Sequence, residues 1–169
     1  MRKLCIVSGI FILSACSTSD STIRDKYSGY YSQDEEYVQQ FAKEIDGLSV
    51  QQLAIDGAKK DKAKMQGQSR LRIDKYLYVE DVKPENNKVI FEYSLDAGWW
   101  KSLSDSKKIT LQRNMSKDLI YRTCSLKTVR LSQEKGLEEN HRYYYDYSNK
   151  KLAFELKTNK VICLENGFK

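Results

Sequence analysis

Histidine and cysteine are the side chains of this chain best suited to nucleophilic or metal chemistry, and both are scarce. The 169 residues include four cysteines and one histidine, His141. A hydrolytic nucleophile usually needs a neighbouring base, and no serine stands in a GxSxG motif. No two cysteines have the CxxC spacing of metal or redox pairs. The sequence therefore predicts no metal and no cofactor, and it favours a partly exposed position at a strand end for His141.

Carboxylates are the one plentiful class of catalytic side chain. Glu134, Glu138, Glu139 and Asp146 lie close together in the sequence, and a pair of carboxylates is what a glycosidase needs. A run of acidic residues around a turn is, however, usually a solvated loop. A hydrolase that acts on glycan through paired carboxylates is therefore kept as the alternative function.

The N-terminus has the order of a secretory signal. Arg2 and Lys3 supply positive charge, residues 6–13 form a short and mostly apolar run, and Leu13-Ser14-Ala15-Cys16 closes it. The run is too short to span a membrane as a mature helix. The last four residues resemble the lipobox of bacterial lipoproteins, with a leucine three positions before the cysteine and small residues between them.

This resemblance implies a series of processing steps. The Cys16 thiol takes a diacylglyceryl group, the chain is cut before Cys16, and the new amine is acylated. Ser17, at the position after the cysteine, favours sorting to the outer membrane over retention in the inner membrane. The resemblance thus predicts a signal peptide over residues 1–15, a covalent lipid on Cys16, and a location on the periplasmic face of the cell envelope.

The remaining cysteines can be sorted once this processing is assumed. Cys5 leaves with the signal peptide and Cys16 carries the lipid, so Cys124 and Cys163 remain. Two thiols in an oxidising, exported compartment most simply form a disulfide. In the chain-entropy model, a bridge over this separation contributes roughly 4 kcal/mol to stability. A disulfide between Cys124 and Cys163 is therefore predicted.

The charge of the chain argues against a nucleic-acid partner. Without Arg2 and Lys3 there are 27 basic and 23 acidic residues, a net charge of +4, and the two signs are interspersed along the sequence. Residues 16–33 are rich in Ser, Thr, Tyr and Asp and lack apolar periodicity, which predicts a flexible, lipidated tether. Residues 34–169 are long enough for a single domain with a hydrophobic core.

Hydrophobic periodicity predicts an α+β domain. Acidic residues from Asp34 onward favour a helix start, and Ser49 with Gln52 forms a capping box for a second helix. Apolar alternation then predicts two hairpins with helices between them. The predicted fold is a helix pair, a β-hairpin, one or more helices and a second β-hairpin, with an antiparallel sheet, helices packed on one face and one disulfide. The expected hairpin strands are 71–82 with 89–95 and 142–147 with 152–157, and the helices between them cover 107–124 and a short segment after Ser125.

Two aromatic groups are candidate partner-binding residues. Trp99 and Trp100 are adjacent, so both side chains cannot easily point into a core. Tyr143, Tyr145 and Tyr147 alternate along a predicted strand and are expected on one face of it. Exposed aromatic side chains are efficient anchors in protein interfaces, whereas tyrosine also packs well within sheets. All five are predicted to contribute to a protein-binding surface, with a role in the core as the competing interpretation.

The function predicted from these observations is binding rather than catalysis. The chain is interpreted as a membrane-anchored periplasmic lipoprotein that binds another envelope protein. Two subclasses fit: an assembly accessory similar to the pilotin lipoproteins of secretion systems, or a lipid-tethered immunity or inhibitor protein. Both follow from the class of protein and not from matched residues. The alternative is an envelope hydrolase that acts on cell-wall glycan through paired carboxylates.

Overall fold

The computed structural model describes residues 20–169, with Asp20 described by its backbone alone. The predicted signal peptide, the lipobox and Cys16 therefore lie outside the described residues. The described part of the chain forms helices and a single sheet. The elements are α1 Asp20–Tyr30, α2 Glu35–Ile45, α3 Val50–Ala63, β1 Leu71–Arg72, β2 Leu77–Glu85, β3 Lys88–Leu95, α4 Ala97–Ser102, α5 Asp105–Ser125, α6 Lys127–Glu134, β4 Glu138–Asp146, β5 Lys151–Thr158 and α7 Lys160–Glu165.

Side-chain caps begin the predicted helix pair. The Asp34 carboxylate accepts a hydrogen bond from the backbone N–H of Glu36 at 2.8 Å, and the Ser49 hydroxyl accepts one from the backbone N–H of Gln52 at 3.2 Å. Caps of this kind satisfy N–H groups that have no partner inside the helix. The starts of α2 and α3 are thus confirmed where the sequence predicts them.

The five strands form one sheet in the order β1-β2-β3-β4-β5. Neighbouring strands are antiparallel except for β3 and β4, which are parallel with Tyr93 opposite Tyr143. The prediction of an antiparallel sheet is wrong at this one pair. Between β3 and β4 the chain passes through α4, α5 and α6 and returns to the end of the sheet at which β3 begins. Such a crossover makes the next strand parallel. The α+β class and both hairpins are confirmed, but the predicted strand 71–82 is divided into β1 and β2, which pair with each other.

One face of the sheet shares a hydrophobic core with the helices. Helix α3 packs on β2 and β3, and α5 packs on β5. The approach of α3 is close, because a Cβ added at Gly57 would lie only 3.3 Å from Cγ2 of Val89. Glycine permits this contact because it has no side chain. The sheet residues of the core are Val79, Val82, Val89, Tyr93, Leu95, Tyr143 and Phe154.

The predicted disulfide is present. It joins Cys124 in the last turn of α5 to Cys163 in α7, and both residues are buried. The bridge lies in a second hydrophobic cluster with Tyr121 and Phe168, against which Ile23 of α1 packs. The disulfide therefore ties the C-terminal helix to the end of α5 at the point where α1 also contacts the domain.

The opposite face of the sheet is closed by charged side chains. Glu92 is only 2% exposed, and its carboxylate accepts hydrogen bonds from Lys83 Nζ at 2.8 Å, Lys150 Nζ at 2.9 Å and the Tyr147 hydroxyl at 2.7 Å. Burial disfavours the charged form, but the three hydrogen bonds outweigh it and lower the pKa of Glu92 to about 2. A buried carboxylate with three donors is a structural group that holds β2, β3 and the β4–β5 turn together.

Replacing Glu92 with glutamine is expected to lower the free energy of unfolding at pH 7 by roughly 2–3 kcal/mol. A carboxylate whose pKa is depressed on folding stabilises the protein above its unfolded-state pKa, and this contribution is lost as the pH falls through the folded-state value. The difference between wild type and variant should therefore shrink between about pH 4.5 and about pH 2. Urea denaturation across this range measures it, with exposed Glu134→Gln as the control. A difference that does not change with pH would contradict the assignment.

Candidate functional site

A cavity of about 950 Å³ opens on the helix-bearing face of the sheet. We call it the sheet groove. Its walls come from the sheet on one side and from α5 on the other, with contributions from the end of α3 and from Tyr31. The apolar residues that line it are Met65, Leu71, Ile73, Leu77, Val79, Val82, Phe91, Tyr93, Met115, Leu119, Leu126, Val129 and Tyr143.

The groove exists because the helices cover the two sides of the sheet and leave its middle open. Helix α3 lies over β2 and β3, whereas α5 packs against β5 at the other side. Between these helices, the partly buried side chain of Phe91 and the buried side chain of Tyr93, both on β3, line the gap. Ile73, between β1 and β2, remains 53% exposed at its edge. The groove is therefore an apolar surface that the described fold leaves partly open to solvent.

Stacked rings form the floor of the groove. Phe91 stacks on His141 with 4.5 Å between ring centroids, and Tyr93 stacks on Tyr143 at 4.6 Å. Tyr143 stacks in turn on Phe154 at 4.5 Å. Each pair joins neighbouring strands, and stacked aromatic pairs of this kind stabilise a sheet beyond their area burial. The floor is consequently a row of packed and mostly apolar rings.

His141 is buried in this floor, so the prediction of a partly exposed histidine at a strand end is wrong. It is 3% exposed, with Nδ1 3.0 Å from the Tyr93 hydroxyl oxygen and Nε2 3.5 Å from a carboxylate oxygen of Glu139. Glu139 also accepts a hydrogen bond from the hydroxyl of Thr158. Burial raises the pKa of Tyr93 and keeps its hydroxyl neutral. These polar groups satisfy one another and anchor the floor.

The rim of the groove is polar and carries both signs of charge. Asp61 and Lys64 form an ion pair at the end of α3, and Arg122 Nε lies 3.8 Å from a carboxylate oxygen of Asp118 on α5. All four residues line the groove. An apolar centre with a polar rim is the arrangement found in protein-binding surfaces.

Helix α1 forms where a flexible tether is predicted, and that prediction is wrong for residues 20–30. The Tyr27 ring lies 5.9 Å from the Tyr121 ring, and the Tyr27 hydroxyl donates to Asp118 at 2.7 Å. This hydrogen bond raises the pKa of Tyr27 to about 12. Helix α1 thus packs along α5, and Tyr31, just after its end, lies at the edge of the groove. The sequence does not predict this helix because the segment is short, polar and without apolar periodicity.

The two tryptophans lie outside the groove. Trp100 is 7% exposed and packs in the core against Phe154, with ring centroids 5.6 Å apart. Trp99 is partly buried and stacks on Tyr76 at 4.7 Å. Both are placed by α4, whose first turn is capped by Asp96. Trp100 therefore has the core role that was the competing interpretation, and only Trp99 keeps accessible surface.

Tyr143 and Tyr145 of β4 and Tyr147, which follows its last residue, do not share one face. Tyr143 lies on the groove floor, whereas Tyr147 reaches the opposite face and donates to Glu92. Two register shifts in β4, on either side of Tyr144, break the alternation that the sequence suggests. Tyr145 is partly buried and packs against the main core. Of the predicted aromatic residues, only Tyr143 lines the groove.

The four acidic residues considered for glycan hydrolysis are dispersed among different partners. Glu134 pairs with Lys160, Glu138 with Lys88 and Asp146 with Lys151, while Glu139 is hydrogen-bonded within the groove floor. Each of the four carboxylates thus has a different partner side chain.

Residues 20–169 contain no group of three or more His, Cys, Asp or Glu side chains that could hold a metal ion. Over the same part of the chain, no helix combines the length and the apolar character that crossing a membrane requires.

The groove residues that the sequence does not single out include Leu71, Ile73, Phe91 and Met115. The available signal is that Met115 and Leu119 belong to the apolar side of α5 and that Phe91 shares a strand face with Tyr93. Those patterns predict a core position equally well. The gap between α3 and α5 is a tertiary feature, and residue periodicity carries no information about it.

Known proteins resemble the chain in fold and not in sequence. No protein-family model and no curated protein matches it. A solved Pseudomonas aeruginosa protein assigned as secreted aligns with a TM-score of 0.52 at 12% identity, over 68% of this chain and 96% of that one. The type 2 secretion pilotin EpsS of Vibrio vulnificus gives a TM-score of 0.47 at 14% identity, over 68% and 91% of the two chains. The type II secretion pilotin AspS of Vibrio cholerae gives 0.44 at 10%, over 68% and 95%.

Proposed function

We propose that this protein is a lipid-anchored accessory of the cell envelope that binds an apolar helical segment of another envelope protein in the sheet groove. The observation that carries the proposal is the groove itself: a 950 Å³ opening with an aromatic floor, left between α3 and α5. Apolar surface that a fold leaves open in this way commonly marks an interaction site. The protein acts by binding and does not catalyse a reaction.

The dimensions of the groove suit a short helix. It extends along α5 from Asn114 to Leu126, the residue that follows the helix, a length of about 18 Å at 1.5 Å per residue. A partner helix of about three turns matches this length. Such a helix presents apolar side chains at positions i, i+3, i+4 and i+7 along one side, and these would lie on the apolar residues of the sheet.

The chemistry of the lining favours an amphipathic occupant. The polar atoms of the floor are engaged with one another, as in the His141–Tyr93 hydrogen bond, so little free hydrogen-bonding capacity is left for a small polar ligand. Charged residues occur at the rim, where Lys64 and Arg122 stand beside Asp61 and Asp118. A helix with an apolar side and polar flanks satisfies both regions.

Of the two subclasses, an assembly accessory of the pilotin kind fits the shape of the site better than an immunity or inhibitor protein. A concave groove receives a segment of its partner, and this is what a protein that escorts another chain requires. An inhibitor of an envelope enzyme would instead need a projecting element that enters the enzyme's cleft. We therefore assign the protein to the accessories that guide an envelope component.

The proposed location follows from the N-terminal sequence. The lipobox that ends at Cys16 and the serine at position 17 support a lipid-anchored protein on the periplasmic face of the outer membrane.

Two isoleucines, Ile73 and Ile109, offer a matched test of the site. Ile73 lines the groove and is 53% exposed, whereas Ile109 is 66% exposed on the first turns of α5 and does not line it.

Replacing Ile73 with aspartate is expected to reduce partner capture at least tenfold, since a charge would lie against the apolar lining, with little change in melting temperature because the side chain is exposed. Ile109→Asp should leave both unchanged. The measurement is quantitative pull-down from detergent-solubilised envelope with the tagged, lipidated protein, alongside thermal melts. Equal capture by the two variants would contradict the proposal.

A further inference from the structure

We propose that the end of the domain around α7 lies against the phospholipid bilayer, with Val161 and Leu164 entering the membrane interface. This inference rests on the lipid anchor at Cys16 in the proposed function and does not depend on what the groove binds.

Helix α7 exposes two large apolar side chains on one side. Val161 is 60% exposed and Leu164 is 51% exposed. They are three residues apart, so they lie next to each other on the helix surface. Between them in sequence, Cys163 points inward to the disulfide. The bridge fixes α7 to the end of α5, so the apolar pair is presented on a rigid element.

The attachment point of the lipid is close to this pair. Cys16 precedes the first residue of α1, Asp20, by four residues, and four residues of fully extended chain span at most about 14 Å. The first turns of α1 pack at the same end of the domain as α7, because Ile23 contacts the cluster that contains Cys163 and Phe168. The Arg24 side chain also lies directly against Gly167. A membrane that holds the lipid on Cys16 is therefore within reach of α7.

The other end of α5 is distant from the attachment point. Ile109 precedes Cys124 by 15 residues of continuous helix, a distance of about 22 Å along the helix axis. It is as exposed and as apolar as the α7 pair. Ile109 is thus a matched residue of the same chemical type at the end of the domain that should face away from the membrane.

Apolar insertion, and not charge, explains this contact. The charged residues near the pair have both signs, with Lys160 engaged by Glu134 at 2.6 Å and Glu165 next to Leu164. Valine and leucine partition into the interface of a bilayer, as apolar side chains of surface helices do. The contact should consequently form on vesicles with and without anionic lipid.

The test uses the full, acylated protein in vesicles of phosphatidylethanolamine and phosphatidylglycerol that contain a phospholipid with a photoactivatable diazirine in its acyl chain. After illumination, mass spectrometry locates the lipid adducts. We expect adducts on the peptide that covers residues 160–165 and at least fivefold fewer on the peptide that contains Ile109. In the double variant Val161→Asp with Leu164→Asp, the number of adducts on residues 160–165 should fall at least fivefold. In Ile109→Asp this number should not change.

Two results would overturn the inference, and they are distinguishable. If the intact mass shows no acyl chains on Cys16, the lipid anchor of the proposed function fails and the inference fails with it. If the chain is acylated but the wild-type adducts are absent from residues 160–165 or are as frequent on the Ile109 peptide, the inference alone fails. The wild-type adduct map decides this even if the double variant does not fold.

Discussion

Replacing Cys163 with alanine is expected to lower the free energy of unfolding by roughly 4 kcal/mol. For a domain of this size, each kcal/mol corresponds to about 2–4 °C in melting temperature, so Tm should fall by roughly 8–16 °C. The bridge closes a loop over a separation of 39 residues, and both cysteines are buried in the cluster that holds Ile23. Its loss should therefore also increase hydrogen exchange in α1 more than in α3.

The matched variants for this prediction are Cys124→Ala and the double alanine variant. All three remove the same bond, so their losses of stability should be nearly equal and not additive. A reducing agent should lower the Tm of the wild type and leave the Tm of the variants unchanged. Two alkylatable thiols in protein taken from the periplasm, or a reducing agent without effect on the wild type, would contradict the prediction.

Replacing Cys16 with serine is expected to release the protein completely from the membrane while the domain stays folded. Each buried methylene of an acyl chain contributes about 0.8 kcal/mol, and a terminus that carries two or more acyl chains is stably anchored. Cys16 lies four residues before α1, so its thiol is not needed for the packing of the described domain.

Fractionation with metabolic palmitate labelling measures the effect of Cys16→Ser. The wild type should take the label and sediment with membranes, and the variant should remain in the soluble periplasmic fraction with an unchanged melting temperature. Cys124→Ala, which retains the lipobox, should still take the label. An unlabelled wild type, or a variant that still sediments with membranes, would contradict the anchor.

Local signals predicted much of the fold because local physics decides those features. The cap at Ser49 can be read from the sequence because its hydrogen bond closes within three residues. The hairpin strands follow from alternation, since a strand with one buried face has a period of two. The Cys124–Cys163 pairing follows from counting the thiols that remain if the chain is exported and lipidated, and it requires no knowledge of their distance.

The features that the sequence did not predict are decided by tertiary contacts. The parallel pairing of β3 with β4 depends on the path of the chain through α4, α5 and α6. Helix α1 is polar over most of its length and is fixed by a few contacts, such as the hydrogen bond from Tyr27 to Asp118. Bulges around Tyr144 move Tyr147 to the opposite face from Tyr143. None of these is encoded in a local periodicity.

The candidate site was the least predictable part for the same reason. Aromatic composition predicts Trp99 and Trp100 as partner-binding residues, but Trp100 is buried in the core. The groove is made by residues such as Ile73 and Met115 that read as ordinary core positions. A gap between two helices becomes visible only once both are placed on the sheet, and only Tyr143 among the predicted anchors lines it.

Site-specific photocrosslinking in the envelope tests the central claim most directly. A photoreactive phenylalanine analogue at position 73 would lie in the sheet groove, and the same analogue at position 109 would be equally exposed outside it. The account predicts one dominant adduct from position 73, absent from position 109, whose cross-linked peptide is an amphipathic helix of about three turns from an envelope protein. The same adducts from both positions, or none from position 73, would contradict it.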